Sequence, residues 1–572
     1  MGKVLRQVAA DFEVRYGYRP WLLESFIDTE RHTGTCYEAS NWIKVGITKG
    51  RGRNDVNSKK LESIKAIYLY PLTQKFRKHM GVDEPGPPPT LDIVEGLDHD
   101  IWAQNEFGGA SLGDARLSKR LVEAAGIQAA NPMRSFCGAA KGERAVVKGY
   151  YRMIEQPDDS AITMAAILAP HRERTIQRMR NQETILSIQD GTDLNFNSLA
   201  QCEGLGVIGK NQTDTSSKGL HMHSSFVVTT DGIPLGVLDV ECAARQPKTA
   251  DSDPEEKTTQ SWIKATRNNN KLAKILPNTH QIVTMDREGD FFELFEEPRH
   301  SRVDLLVRAK HNRKTDGEFK LFDSIRQSPA QGQLNITIPR QSARPKLSKQ
   351  KARPKREKRQ AIVDLRYQQI KMRAPGTTAH KDKAPIHLWM VHIREVSPPP
   401  NEKGVEWFLL ATWPITSDAE AQECVRWYSL RWRIEDWHRV LKSGCKIEEL
   451  AYKTAERLKR GIAINIVIAW RIMLMTLLGR ESPELPAEVL FSDLEIKVLK
   501  AYAIKKKELL PLMLGNACQI VASMGGYLGR KHDLPPGHQM MWQGYASLQQ
   551  MCEGFKLAET AYEHNTVGKG QA

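Results

Sequence analysis

The sequence predicts a multidomain α/β protein. Its 572 residues exceed what one hydrophobic core supports and suggest about three or four domains. Short β-rich runs alternate with helical runs through the middle of the chain, whereas the stretches before and after it carry helical periodicity. A stiff Pro-rich segment, Pro85-Gly-Pro-Pro-Pro-Thr90, marks a boundary near the front.

In chain order, residues 1–82 read as a small α/β piece. It has a helix from Lys3 to Tyr16, strands at Trp21 to Ile27, Asn41 to Gly46 and Ala66 to Tyr70, and a Gly50-Arg-Gly-Arg53 loop. The linker occupies 83–99. Residues 100–175 turn helical: Asp114 opens one helix through Arg116, Lys119 and Arg120, and a second runs from Glu143 to Ile154 with Lys148 and Arg152. Small basic helical units of this kind put one helix in the DNA major groove.

Residues 176–300 form an α/β stretch. Thr184 to Ile188 is a strand ending at Asp190, Ser224 to Val240 gives two strands around an Asp231-Gly232 turn, and Gln281 to Met285 ends at Asp286. Residues 301–414 are a β-rich insertion with strands at Val303–Val307, Leu334–Ile338, Ala361–Leu365, Ile386–His392 and Trp407–Thr412. Within it, Arg340 to Arg359 holds ten Lys/Arg against one Glu, a basic loop suited to a DNA backbone. Residues 415–480 contain a charged helix, and 481–572 form a helical C-terminal domain.

Composition narrows the partners. A formal net charge of +15, with clustered Lys and Arg, points to a polyanion. Eight cysteines without a CxxC or zinc spacing suggest free thiols in a reducing compartment, hence a cytoplasmic protein. The longest apolar run, Gly461 to Trp470, soon meets Arg471 and reads as too short to span a bilayer. The N-terminus lacks an apolar signal-peptide core, and no membrane role is expected.

The charged helix, Tyr428 to Lys442, contains neither Pro nor Gly. At about 100° per residue, Tyr428, Arg431, Glu435 and Lys442 fall within an arc of roughly 60°. Taken alone this is also the pattern of a salt-bridged surface helix. Each aspartate at a strand end, taken alone, is also a turn or capping residue. Joined, Asp190, Asp286 and Glu435 are carboxylates able to converge on two Mg²⁺ ions beside a phosphodiester, with Mn²⁺ as a substitute. No Ser-His-Asp set, Walker loop or dinucleotide loop competes.

The spacing Tyr428-x2-Arg431-x3-Glu435-x6-Lys442 resembles the YREK signature of cut-and-paste DDE transposases of the IS-four family, Tn-five type. Asp286-Arg-Glu-Gly-Asp290 is similar to the family's second-aspartate motif and Ile188-Gln-Asp190-Gly-Thr192 to its first, although Gly191 and Asp193 alter that turn. The resemblance implies an RNase H-like catalytic core interrupted by a β-rich insertion and flanked by helical domains, with Asp190, Asp286 and Glu435 as metal ligands. Val307-Arg308-Ala-Lys310 looks like the segment whose arginine contacts transposon-end DNA, and Glu406-Trp407 like the one whose tryptophan stacks on a flipped base. Tyr428, Arg431 and Lys442 are then phosphate contacts.

Trp102-Ala103, Leu112-Gly-Asp114 and Tyr151-Arg152 resemble the family's end-recognition domain. Gly525-Gly-Tyr527 with Trp542-x-Gly544-Tyr545 resembles its dimerisation domain. The implied partners are terminal inverted repeats and target DNA, bound by a homodimer in a bacterial, nucleoid-associated setting. In front, Tyr18-Arg-Pro-Trp-Leu-Leu-Glu24 with Gly34-Thr-Cys-Tyr37 and Asn41-Trp42 resembles part of the DruA-type domain. Two alternatives stay open on the sequence: a domesticated DNA-binding protein that does not cleave, and a defence-associated nuclease.

Overall fold

The structure is a computed structural model. It describes residues 2–73 and 101–567, apart from 30, 33, 39–41, 49–62, 211–215, 245–258, 339–342, 344–353, 377–382, 401 and 531–532. The Gly50 to Arg53 loop, the linker and most of the basic tract at 340–359 lie outside the described residues. Contacts divide the chain into two units, Met1–Pro89 and Thr90–Ala572.

In the first unit, helix α1 (Gly2–Tyr16) precedes three antiparallel strands, β1 (Leu22–Asp28), β2 (Ile43–Ile47) and β3 (Lys65–Pro71), in the order β1-β3-β2. Alternation along β3 sends Ala66 and Tyr68 to one face, where they form a small core with Ile27, Tyr37 and Trp42. Gly34 (φ +78°) lies under Tyr68, and a Cβ there would stand 2.5 Å from the phenol oxygen. Only glycine fits that turn.

The second unit opens with helices α2 (Trp102–Phe107), α3 (Ala115–Ala130), α4 (Arg144–Ile154) and α5 (Met164–Arg180). Asp114 caps α3 by accepting the Arg116 N–H at 2.8 Å, as its position ahead of the helix predicts. Helix α4 is strongly amphipathic: Tyr150, Met153 and Ile154 are buried, while Arg144, Lys148 and Arg152 stand exposed at i, i+4, i+8.

A ten-stranded sheet follows, from β4 (Thr184–Asn195), β5 (Gly206–Lys210), β6 (Ser216–Thr229), β7 (Pro234–Ala243), β8 (His280–Met285) and β9 (Val303–Arg308) to β10 (Gly332–Ile338), β11 (Arg359–Met372), β12 (Ile386–Glu395) and β13 (Glu406–Ala411). Helix α6 (Thr259–Ala273) lies between β7 and β8. The order is β10-β11-β12-β13-β9-β8-β4-β6-β5, and β7 also pairs with β6. The pairs β4–β8 and β8–β9 are parallel and the rest antiparallel. Gly232 (φ +88°) makes the Asp-Gly turn between β6 and β7.

Then come α7 (Asp418–Ser429), α8 (Trp432–Arg439), α9 (Ala455–Glu481), α10 (Asp493–Lys506), α11 (Leu514–Met524) and α12 (His538–Val567). The 27-residue α9 is long and apolar enough to cross a bilayer, yet its apolar window is wholly buried in the protein. It runs straight through Arg471, correcting the reading of a short run ended by that residue. The Arg471 guanidinium lies 4.9 Å from the Trp102 ring and 5.6 Å from Tyr545, so the charge is accommodated against aromatic faces inside the fold.

Three further expectations change. Asp190 is not beyond a strand end: β4 continues to Asn195 because β6 keeps pairing with it, Asp190 opposite Ser224. Tyr428 to Lys442 is not one helix. It breaks at Leu430–Arg431 between α7 and α8 and then widens into a π-helical turn, Val440–Gly444. The strand at Val303, placed in the insertion, pairs in parallel with β8, and β13 joins its other edge, so the insertion strands prolong one sheet.

Two buried polar clusters tie the helices together, and the second reaches this sheet. Arg460 of α9 donates to the carbonyls of Ile162 (2.5 Å), Ile154 (2.8 Å) and Pro157 (2.6 Å). Glu106 of α2 meets Arg178 and His171 of α5, and Arg178 also donates to the Leu235 carbonyl of β7 at 2.6 Å.

Candidate active site

The site forms where β4 and β8 run side by side. Their parallel pairing ends with Ile188 opposite Thr284, so Asp190 and Asp286 are each two residues further along and on the same face. Asp286 leaves β8 and caps a 3₁₀ turn, Arg287–Gly289, its carboxylate accepting the Glu288 N–H at 2.8 Å. The third carboxylate arrives on α8. Ile434 and Trp437 are fully buried, and Trp437 stacks on Phe226 of β6 at 5.4 Å. Phe226 pairs with Ile188, so this anchor lies on the sheet face that carries Asp190.

Arg431, only 7% exposed, sits between two of the carboxylates. One guanidinium nitrogen is 3.5 Å from Asp190 Oδ2 and another donates to Glu435 Oε1. Burial, with the charges of Asp286 and Glu435 close by, pushes the Asp190 carboxyl up to about 7 despite Arg431. Among the described residues, no three His, Cys, Asp or Glu side chains are close enough to share one metal ion as they stand. The donor chemistry nevertheless fits a hard divalent cation: the candidate ligands are all carboxylate oxygens, and burial, reinforced by Asp286 and Glu435, disfavours the charge of Asp190 unless a cation joins it.

The expected DNA-contact residues gather beside this centre. Tyr428 is buried at the end of α7, and burial raises its phenol although Arg431 and Arg308 stand close. The Trp407 ring of β13 meets Tyr428 edge-on at 5.3 Å, and the Arg308 guanidinium lies 5.6 Å from the same indole. Arg308, Lys310 and Trp407 line a groove of about 1840 Å³ together with Arg426, Trp432 and Arg439.

Lys442 goes elsewhere: its ammonium donates to the Asp193 carbonyl on β4 at 2.6 Å. The Asp193 carboxylate, one of the two departures from the first-aspartate motif, is on the opposite face of β4 from Asp190 and bound to His221 Nδ1 at 2.8 Å.

One contributor escaped sequence reasoning. The carboxylate of Asp290 is buried and accepts the N–H groups of Lys310 (2.6 Å) and His311 (2.9 Å) as well as a guanidinium N–H of Arg313. It fixes the loop that carries Lys310 to the turn that carries Asp286. Its place in Asp286-Arg-Glu-Gly-Asp290 was visible, but its partners lie some twenty residues on and only the fold pairs them.

Family models match most of the chain. Residues 197–471 match the transposase DDE domain, 99–158 the transposase DNA-binding domain and 467–565 the transposase Tn5 dimerisation domain. Residues 1–81 match Druantia protein DruA. Asp190 lies just ahead of the DDE match, and its place rests on its register with Asp286. Among solved structures, the cryo-EM piggyBac transposase synaptic complex with hairpin DNA is similar at TM-score 0.32 and 9% identity, over 82% of this chain and 81% of that one.

These modules define a DNA-cleaving DDE transposase. The chain belongs to the Tn5-type DDE transposases and carries a DruA-like segment at its front. DNA is its partner, and DDE domains work with divalent metal ions.

Proposed function

We propose that the protein cuts and joins the terminal inverted repeats of a mobile element as a homodimer, with Asp190, Asp286 and Glu435 as the ligands of two Mg²⁺ ions, Mn²⁺ serving as a substitute. The observation that carries this is the register of two parallel strands that brings Asp190 beside Asp286 at one end, with Arg431 between Asp190 and Glu435. The order β7-β6-β4-β8-β9, with antiparallel pairs followed by parallel ones, supports an RNase H-like core.

When bound, such a metal pair stabilises the attacking and leaving oxygens of an in-line phosphoryl displacement. The protein's own groups do the rest. Arg431 and Tyr428 hold the scissile phosphate against the carboxylates. Arg308 and Lys310 grip the flanking backbone through charge-assisted hydrogen bonds. Trp407 receives a flipped base during hairpin formation, after which water opens the hairpin and the 3′ end joins a target.

The test is to incubate purified protein with end-bearing DNA and Mg²⁺ and to resolve hairpin and joined products. A domesticated binder gives end binding without cuts, and a defence nuclease gives cuts without end preference or joining. Identical product patterns from wild type and Asp190→Ala would falsify the catalytic assignment. In the same assay Trp407→Ala is expected to lower hairpin yield by about 10- to 100-fold, the loss of a stacking contact on the order of 1–3 kcal/mol, while the first nick persists. Equal losses at both steps overturn the stacking role.

End binding has its own check. The exposed Lys148 and Arg152 of α4 are placed on phosphates. Removing both should flatten the dependence of log affinity on log salt by about 1.8, at roughly 0.9 per neutralised phosphate. An unchanged slope moves the DNA-binding face elsewhere.

A further inference from the structure

Helix α8 does not simply end after Glu435 but widens into the π-helical turn Val440–Gly444, closed by the Cys445 N–H donating to the Val440 carbonyl at 2.9 Å. Such turns are rare inside α-helices and occur frequently at functional sites. Lys442 is the middle residue of this one. Its ammonium donates to the Asp193 carbonyl at 2.6 Å.

The support for this turn comes from the far end of the chain. Gly444, its last residue, is buried against the indole of Trp542 in α12. A Cβ on Gly444 would stand 3.0 Å from Cε3 and 3.1 Å from Cδ2 of that ring. Trp542 is 4% exposed, so it has little room to yield. Helix α12 touches the catalytic helix a second time, with His538 Nε2 3.9 Å from the carboxylate of Asp436, the neighbour of Glu435. Both contacts come from the segment that matches the dimerisation domain.

We infer that Trp542 is a positioning residue: by seating Gly444 it sets the π turn and thereby the reach of Lys442, so that the dimerisation segment holds part of the catalytic apparatus of its own chain. This rests on the motif resemblance that makes Lys442 a phosphate contact, its ammonium being held on the Asp193 carbonyl in the structure. Catalysis is sensitive to such placement, since a shift of about 1 Å in a reacting constellation costs about 10²-fold.

The experiment is a double-mutant cycle on single-turnover nicking of end DNA with Mg²⁺, with end binding and thermal melting measured alongside. Gly444→Ala is expected to slow nicking by about 10- to 100-fold with end binding unchanged. Adding Trp542→Leu, which frees space for the new methyl group, should restore most of the rate. Because the effect passes through Lys442, Gly444→Ala on a Lys442→Ala background should cost little more.

A wild-type rate for folded Gly444→Ala, or full additivity with Lys442→Ala, overturns the inference. If Lys442→Ala alone leaves nicking intact, the phosphate-contact reading fails first, which separates the two failures. Should Gly444→Ala not fold, Trp542→Leu, which removes volume instead of adding it, takes its place in the cycle with Lys442→Ala: a slowed rate that is non-additive supports the inference, and a wild-type or additive rate overturns it.

Discussion

Replacing Glu435 by glutamine is expected to stop strand cleavage, by about 10³-fold or more, while binding to end DNA is kept. The substitution preserves shape but removes a hard anionic donor, and a bound divalent pair supplies several kcal/mol of transition-state stabilisation at about 1.4 kcal/mol per tenfold. The fold tolerates the change. Glu435 is half-exposed on the site side of α8, whereas the helix is anchored by Ile434 and Trp437 on its other side. Arg431 loses a partner yet keeps Asp190. The measurement is nicking against Mg²⁺ or Mn²⁺ concentration, with gel-shift binding as the control. A variant that nicks within tenfold of wild type removes Glu435 from the ligand set.

The second large effect concerns stability. Glu106→Gln is expected to cost about 3–5 kcal/mol, the range for breaking a buried ion pair by removing one partner. Glu106 is almost wholly buried and accepts from Arg178 at 2.7 Å and from His171. His171 Nε2 accepts the Val237 N–H at 3.1 Å, so the imidazole proton is on Nδ1, facing Glu106. Arg178 also rests on the Trp470 ring at 4.5 Å. One carboxylate therefore joins α2 and α5 to β7 and α9.

Burial opposes the charge of Glu106, but Arg178 and His171 outweigh it and hold the carboxyl at about 2. A depressed carboxylate gives stability that is complete above the unfolded value of 4.5 and lost as pH falls through about 2. Wild type should thus lose stability steeply between pH 4.5 and 2, and Glu106→Gln should show a shallower acid slope from a lower starting point. Denaturant melts at pH 7, 4 and 3 measure both. Parallel slopes would contradict the linkage.

Much of the fold was legible because local chemistry and tertiary context agree. The Asp231-Gly232 turn, the Asp114 cap and the apolar alternation of the sheet strands each depend on residues a few positions apart. Where they disagreed, packing won. Arg471 looked like the end of an apolar run because a charge inside a helix is costly in isolation, but Trp102 and Tyr545, far away in sequence, supply aromatic faces. The end of β4 was misplaced because the polar stretch after Ile188 has little apolar signal, whereas β6 pairs with it through to Asn195. The stretch Tyr428 to Lys442 lacks Gly and Pro, so nothing local announced the break at Leu430–Arg431, whereas the π turn ends on Gly444, just beyond it, against which Trp542 packs.

The sequence by itself determined the chemistry on offer: which carboxylates, cations and aromatics exist, at spacings that match the DDE signature, with helical segments before and after a β-rich middle. Only the tertiary structure decided which of these meet. Parallel register placed Asp190 beside Asp286, a buried guanidinium came to lie between Asp190 and Glu435, and Trp542 came to rest under the turn that aims Lys442. The physical reason is that local conformation depends on neighbours within a turn or two. Register, burial and the company a charge keeps are set by packing between segments about one hundred or more residues apart.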